Sequence, residues 1–491
     1  MPAETPTDLS AAPSDLCQLS ISELAPLIRQ RQLSPIELAE AVLARVAALN
    51  DTLLAFCTID PEAVRAQARR AEAQLMADGP DTPRSPLFGI PFGIKDLIFT
   101  NDLVSTGGST AYREFVPDED DVVVERLRAA GALILGKTNV PEFGMGFGSR
   151  NPVFGATRNP WNLEKTPGGS SGGSAVAVVT GMGPGALGSD GGGSIRTPSS
   201  YCGTYGIKPT FGRIPLYPGC RDTRYPGFSG WESLEHLGPI TRTVTDAALM
   251  LDVLIGPDRR DRHSIPREIE TFANLDPASV AGLRIAWTTD FGGYARVDAE
   301  VKQAVEAAAR QFEALGAHVE QATPFTDDPS GDFLALVALD FDVAEMRKLA
   351  AAQPDSINAR IAGLLAREWT FEEVSNALTV RRALYNQVWR FFEQYDLLLT
   401  PTTPTVAFDL MLGGPLEIGG VPLPEGTPPP SFTSPFNMTG GPAASIPAGW
   451  TADGLPIGLQ IVGGHLADQL VLRASRAYEQ ASPWLHRRPP V

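Results

Sequence analysis

From Phe88 onward the chain alternates short apolar runs of strand length with segments of helical length, and this alternation limits the fold more than any other feature. Strand-like runs fall at 89–99, 132–135, 283–288, 397–400 and 457–462, and helical stretches at 121–130, 171–179, 246–255, 298–315 and 468–480. Strands that alternate with helices bury a sheet between helical layers, so the expectation is an α/β fold with a buried, largely parallel sheet. The N-terminal part reads differently. Residues 1–15 form a polar tail. Ser34-Pro35-Ile36-Glu37 is a capping box with Pro at the first helical position, and Leu38, Val42, Leu43 and Val46 then recur three to four apart, which predicts a helix over 33–50. A charged helix follows over 61–77 and a linker over 79–86. The expected division is an N-terminal helical segment, 1–80, packed on an α/β domain, 81–491, as one compact body. The Gly/Pro-rich stretch 413–430 reads as a long loop of the kind that covers a site.

The charge narrows the partners. A net charge of −17 and a pI near 4.8 argue against nucleic acid and anionic membranes. Cys17, Cys57, Cys202 and Cys220 form no C-x-x-C pair, so neither a metal site nor a disulfide framework is signalled and a reducing cytoplasm is expected. The first residues lack the basic and apolar parts of a signal peptide, and no apolar run approaches the ~18 residues that span a bilayer. What remains is a soluble protein with a small-molecule partner; self-association into a homodimer stays open.

Residues 166–209 carry most of the chemical information. Two clusters, GGSSGGS at 168–174 and GGGS at 191–194, are separated by a helical stretch. Glycines allow a close approach of backbone N–H groups to a ligand, and two such turns folded together make a nest of donors beside several hydroxyls. Gly169–Gly173 matches G-x-S-x-G, an elbow that needs a downstream acid and then a histidine. His236, His263, His318, His465 and His486 satisfy the order, and none has a distinctive context. Residues 183–188 match G-x-G-x-x-G but follow a helix and open none, which disfavours dinucleotide binding, and there is no P-loop. A serine nucleophile needs a base. Lys95, in GIPFGIKDLIF, sits among Ile94, Leu97, Ile98 and Phe99. Burial there would lower its pKa from the usual ~10.4 towards a useful range. The alternative is that Lys95 faces solvent or pairs with Asp96, and the residues alone leave both readings open.

Longer segments carry a resemblance. GIPFGIKDLI (89–98), AAGALILGKTNVPEFGMG (129–146), GATRNPWN (155–162), PGGSSGGSAVAVVTG (167–181) and GSDGGGSIRTPSSYCGTYGIKPT (188–210) are followed by GPITRTVTDAALMLDVL (238–254), LLLTPTTP (397–404), SPFNMTGGPAASIPAG (434–449) and DGLPIGLQIVG (453–463). In these the chain resembles the amidase signature family. The resemblance implies that family's fold, a central mixed, largely parallel β-sheet covered by helices on both faces. It implies a triad in which Ser194 attacks an amide carbonyl, Ser170, joined through a cis peptide, bridges the proton, and Lys95 is the base. The N–H groups of Gly191, Gly192, Gly193 and Ser194 would form the oxyanion hole. Asp190 and Arg196 read as an ion pair holding that loop. Ser171 reads as a helix N-cap or a second donor near Lys95. Asn139, with Thr138 and Glu142, reads as site lining or as loop hydrogen bonding. Cys202 reads as a small buried filler. One departure stands out: residue 191 is Gly where many relatives have Thr, which keeps the backbone donor and removes a hydroxyl.

The function this implies is hydrolysis of a C–N amide bond in a small, apolar or aryl substrate through an acyl-serine, without metal or cofactor. The aromatic stretch 216–237 favours such a substrate, and the C-terminal pattern resembles bacterial members acting on aryl amides or on linear and cyclic amide oligomers. Carbamate or ester cleavage is chemically adjacent. The alternatives are the glutaminase component of a tRNA-dependent amidotransferase and a non-catalytic binding protein of the same fold; the complete Lys95, Ser170 and Ser194 set argues against the last.

Overall fold

The N-terminal helices start where side chains satisfy the free N–H groups of a first turn. Helix α1 (Ile21–Arg29) is opened by the capping box of Ser20 and Glu23, and α2 (Pro35–Leu53) by that of Ser34 and Glu37. Asp60 caps α3 (Pro61–Ala77), accepting from the N–H groups of Glu62 and Ala63. Helix α2 runs three residues past the predicted end and stops where Leu54 turns left-handed, with φ 51°. The structure, a computed structural model, describes residues 16–79, 82–228, 230–276, 280–352 and 357–491. The tail 1–15 therefore lies outside the described residues, as does part of the linker 79–86. The first eighty residues are not helical throughout, because β1 (Phe56–Thr58) lies between α2 and α3 and joins the edge of the main sheet.

That sheet has eleven strands. After β1 come β2 (Pro91–Lys95), β3 (Leu133–Thr138), β4 (Gly185–Ser189), β5 (Tyr205–Lys208), β6 (Leu237–Thr241), β7 (Arg284–Trp287), β8 (His318–Gln321), β9 (Leu397–Pro401), β10 (Ala443–Trp450) and β11 (Pro456–Gly463). Their spatial order is β1-β3-β2-β4-β6-β5-β10-β11-β9-β7-β8. The sheet is mixed. Parallel pairing occupies two blocks, β3-β2-β4 and β9-β7-β8. The strands between them pair antiparallel. Connectivity accounts for part of this. Only residues 451–455 join β10 to β11, and so short a link cannot cross over to a parallel neighbour. The expected long loop 413–430 contains a small ribbon, Glu417–Ile418 against Val421–Pro422.

Both faces of the sheet are covered, as the strand alternation shows. Leu397 and Leu399 belong to one core with Ile285, while Leu398 belongs to the other with Ala286. The first core is closed by α2, α3, α4 (Val122–Ala129), α5 (Gly172–Val179), α7 (Val244–Leu254), α8 (Ala299–Ala314) and α14 (Asp468–Ala481). The second is closed by α9 (Ser330–Asp340), α10 (Val343–Ala352), α11 (Ala359–Ala366), α12 (Phe371–Phe391) and α13 (Ser434–Thr439). Helix α6 (Arg196–Cys202) follows the second Gly/Ser cluster. No helix among the described residues is long and apolar enough to cross a membrane.

A buried acid ties the N-terminal helices down. Asp246, in the first turn of α7, accepts from the N–H groups of Ile21 at 3.0 Å and Ser22 at 2.9 Å. Asp246→Ala leaves both donors without that partner. Denaturant unfolding should show a loss of about 1–3 kcal/mol.

Candidate active site

Strands β3, β2 and β4 are adjacent and parallel, so their carboxyl ends open on the same side, where ligands of α/β sheets collect. Strand β2 ends at Lys95 and β4 at Ser189, with the glycine loop 190–194 following, while β3 leads into the loop of residues 139–149. The first Gly/Ser cluster runs into the start of α5, which contacts β2 and β4. Four segments that are distant in sequence thus reach one place.

Lys95 is fully buried. Its Nζ lies 2.6 Å from Ser170 Oγ, 2.8 Å from Ser189 Oγ and 3.0 Å from the Ser189 carbonyl oxygen. An ammonium would donate to all three. A neutral amine donates to the two Ser189 oxygens and turns its lone pair to the Ser170 hydroxyl. Burial pushes the Lys95 ammonium down from its ordinary value, to about 8, against the opposing pull of Glu235 and Asp190. The solvent and Asp96 readings of this lysine fall away. Asp96 is buried and accepts from Thr106 Oγ1 at 2.6 Å, 3.8 Å from another buried lysine, Lys137.

The Gly169–Ser170 peptide is cis, the form the resemblance implies. Ser171 heads α5 without a side-chain capping bond, so the N-cap reading does not hold. Its hydroxyl donates instead to the Ser189 carbonyl at 3.2 Å, and its N–H donates to the Ser194 carbonyl at 3.1 Å, tying the two Gly/Ser clusters together. The Asp190–Arg196 pair is wholly buried, at 2.8 Å. Burial would raise the Asp190 carboxyl, but the Arg196 guanidinium and the Asn437 amide hold it well below the usual range. Asp190 also accepts from the Gly193 N–H at 2.7 Å and the Ile195 N–H at 3.1 Å, which folds the loop around the carboxylate.

This geometry corrects one expected donor. The Gly193 N–H is engaged by Asp190 and is not available to an oxyanion. Among the described residues, the N–H groups of Gly191, Gly192 and Ser194 have no protein acceptor. Asn139 is placed in a loop network, 2.6 Å from Asn151 Nδ2 and 3.1 Å from Thr157 Oγ1, and lines neither cavity described below. Thr138 bonds Ser174, and Glu142 accepts from the Asn358 N–H at 2.7 Å. The elbow pattern would make Ser171 the nucleophile, but its hydroxyl is on the Ser189 carbonyl, and His236 has Nδ1 on the Leu234 and Asp190 carbonyls. Cys202 is fully buried, and burial pushes its thiol far up.

Two cavities meet at Gly144, Ser194 and Trp231. The inner one, about 40 Å³, is bounded by Leu97, Phe143, Leu216, Cys220, Phe228 and Glu235. Its Phe143 and Phe228 walls are backed edge-to-face by Phe99 and Tyr112. The outer one, about 420 Å³, is bounded by Phe147, Phe333, Leu364, Trp369, Phe408 and Phe432. Ser170 opens on the inner cavity and Ser194 on both. Sequence reasoning assigned no role to Ser189, Glu235, Thr433, Asn437 or Gln460. Asn437 and Gln460 lie inside motifs that carried the resemblance, which was the available signal; Glu235 stood only within an aromatic-rich loop.

Comparisons agree with this arrangement. The sequence model of the amidase family matches residues 37–472. The chain is 39% identical over 479 residues to an acylamidase of Rhodococcus erythropolis, covering 96% of this chain and 97% of that one. It is 36% identical over 500 residues to a component chain of the glutamyl-tRNA(Gln) amidotransferase of Geobacillus thermodenitrificans, covering 96% and 99%. Among solved structures, that of a bacterial aryl acylamidase of the amidase signature family superimposes with a TM-score of 0.87 at 31% identity, covering 96% and 98%.

The buried ion pair gives a direct test. Arg196→Met leaves the Asp190 charge buried without its partner, and chemical denaturation should register a loss of about 3–5 kcal/mol together with lost turnover.

Proposed function

The chain belongs to the amidase family, and on that premise we propose that Ser194 is its nucleophile, Ser170 its proton bridge and Lys95 its base. The protein is an amidohydrolase that cleaves amide C–N bonds. One observation supports the roles above all others: a fully buried lysine amine 2.6 Å from a serine hydroxyl, on a cavity that the second serine also lines.

In this reading the Ser194 oxygen attacks the amide carbonyl. Its proton passes to Ser170 as the Ser170 proton passes to Lys95. The carbonyl becomes an oxyanion facing the uncommitted N–H groups of Gly191, Gly192 and Ser194. Collapse breaks the C–N bond, and the proton returns from Lys95 through Ser170 to the leaving amine. Water then adds to the acyl-serine by the same relay in reverse, releasing the acid and restoring Ser194. No group beyond the chain and water is needed for balance.

The outer cavity is rich in aromatic side chains and suits an apolar or aryl substituent, so aryl and other apolar amides are the proposed substrates. The similarity to an amidotransferase component supports a second reading, glutamine hydrolysis within a larger assembly.

Ammonia or amine release from aryl anilides, aliphatic amides, glutamine and an aryl carbamate separates the two. Turnover of apolar amides by the single chain is expected. Ser194→Ala and Lys95→Ala should each lower it by at least ~1,000-fold. Response to glutamine alone, and only with partner chains present, would move the amidotransferase reading into first place. The amine must be neutral to accept a proton and its pKa is lowered by burial. kcat/KM should therefore rise with pH as the ammonium is lost and level off above about 8.

A further inference from the structure

Glu235 lies in the wall of the inner cavity, beside the catalytic lysine, with no step in the relay assigned to it. Its backbone is fixed by the N–H bond to the Trp231 carbonyl at 2.8 Å. Its carboxylate interacts with the Ser189 hydroxyl and, through space, with Lys95. The space it uses exists because residue 191 is glycine. A Cβ there would lie 2.6 Å from Glu235 Oε2 and 2.7 Å from Trp231 Cε3, closer than carbon tolerates. The missing side chain at 191 and the carboxylate at 235 are therefore one arrangement.

Ser189 Oγ has one proton to give and lone pairs to offer. Lys95 lies 2.8 Å away and has one lone pair to aim if it is to accept from Ser170. We propose that Glu235 is a positioning residue: its carboxylate accepts a hydrogen bond from the Ser189 hydroxyl, which turns the Ser189 oxygen's lone pair to a Lys95 N–H and leaves the amine's own lone pair for Ser170. The inference rests on the reading of Lys95 as the base.

The other charged groups around the pair are accounted for. Asp190 faces Lys95 but is held ionised by Arg196. Asp121 and Cys220 share the cavity wall with Glu235, and burial raises both. Lys208 and His236 lie behind Asp190, and burial lowers both. Glu235 is the remaining acid beside the lysine. Burial raises its own carboxyl while Lys95 pulls it down. As an anion next to the lysine it favours the ammonium, so its removal should make the amine easier to deprotonate.

The test is the pH profile of kcat/KM for apolar amide hydrolysis by wild type, Glu235→Gln, Glu235→Ala and Glu235→Asp, each checked for folding by thermal melting. The two neutral variants should move the acid-limb midpoint down by roughly one pH unit, with kcat lowered more than KM is raised. Glu235→Asp keeps the anion and should keep the wild-type midpoint. Either neutral variant suffices if the other fails to fold. A midpoint unmoved in the folded neutral variants, or moved as far by Asp as by Gln, overturns the inference. Lys95→Ala separates the two levels. If it keeps turnover, the base assignment fails; if it is dead and the Glu235 midpoints do not move, only the role of Glu235 fails.

Discussion

Every N–H of the buried Arg196 side chain is engaged, and the site around it is assembled by those bonds. Nε and Nη2 bond Asp190, Nη2 also reaches Asn437 Oδ1 at 2.6 Å, and Nη1 meets the Thr433 carbonyl at 3.0 Å and Gln460 Oε1 at 2.7 Å. A buried charge pair is tolerated only when its remaining hydrogen-bonding capacity is met, and here it is met by residues from α13, the segment before it and β11. The glycine loop is thereby held between halves of the chain that are more than two hundred residues apart. Thr433 adds a bond from its hydroxyl to the Gly192 carbonyl at 2.6 Å. The carbonyls of Asp190, Gly192, Gly193 and Ser194 and the N–H groups of Asp190 and Gly193 are used within the protein, which leaves the N–H groups of Gly191, Gly192 and Ser194 unclaimed.

Three buried lysines of the fold differ in what surrounds them. Lys137 bonds the Ile98 carbonyl and Ser105 Oγ and has Asp96 nearby. Lys208 bonds the Gly441 carbonyl. Both brace loops, and burial lowers the pKa of both. A lowered value therefore does not single out Lys95. What does is its company: the hydroxyls of Ser170 and Ser189, both on the wall of the inner cavity.

The amphipathic helices and their caps were readable because they depend on neighbours three and four residues away. The α2 capping box and the Leu38, Val42 and Val46 stripe appear in the fold as read. Pairing direction was less readable, since it is decided by which distant strand lies alongside; the centre of the sheet runs antiparallel although the texture of the sequence suggested parallel pairing. Within the site, Lys95, Ser170 and Ser194 were marked by motifs, as was the Asp190–Arg196 pair. The engagement of Gly193 by Asp190 was hidden, because a row of glycines does not say which N–H turns inward. Ser171 was read as a cap or as a donor near Lys95; it makes no cap bond, and its hydroxyl donates to the Ser189 carbonyl that Lys95 also meets, a partner eighteen residues on.

By itself the sequence determined the secondary-structure periodicity, the acidic surface, the two Gly/Ser clusters and the resemblance that joins them to a lysine strand, since each is carried by local spacing or by residue type. Only the tertiary structure decided which side chains share a hydroxyl, which N–H groups remain free and how the cavity divides. Those outcomes depend on contacts such as Arg196 with Gln460 and Gly191 beside Glu235, where the partners are far apart in the chain and nothing in either one's neighbourhood announces the other.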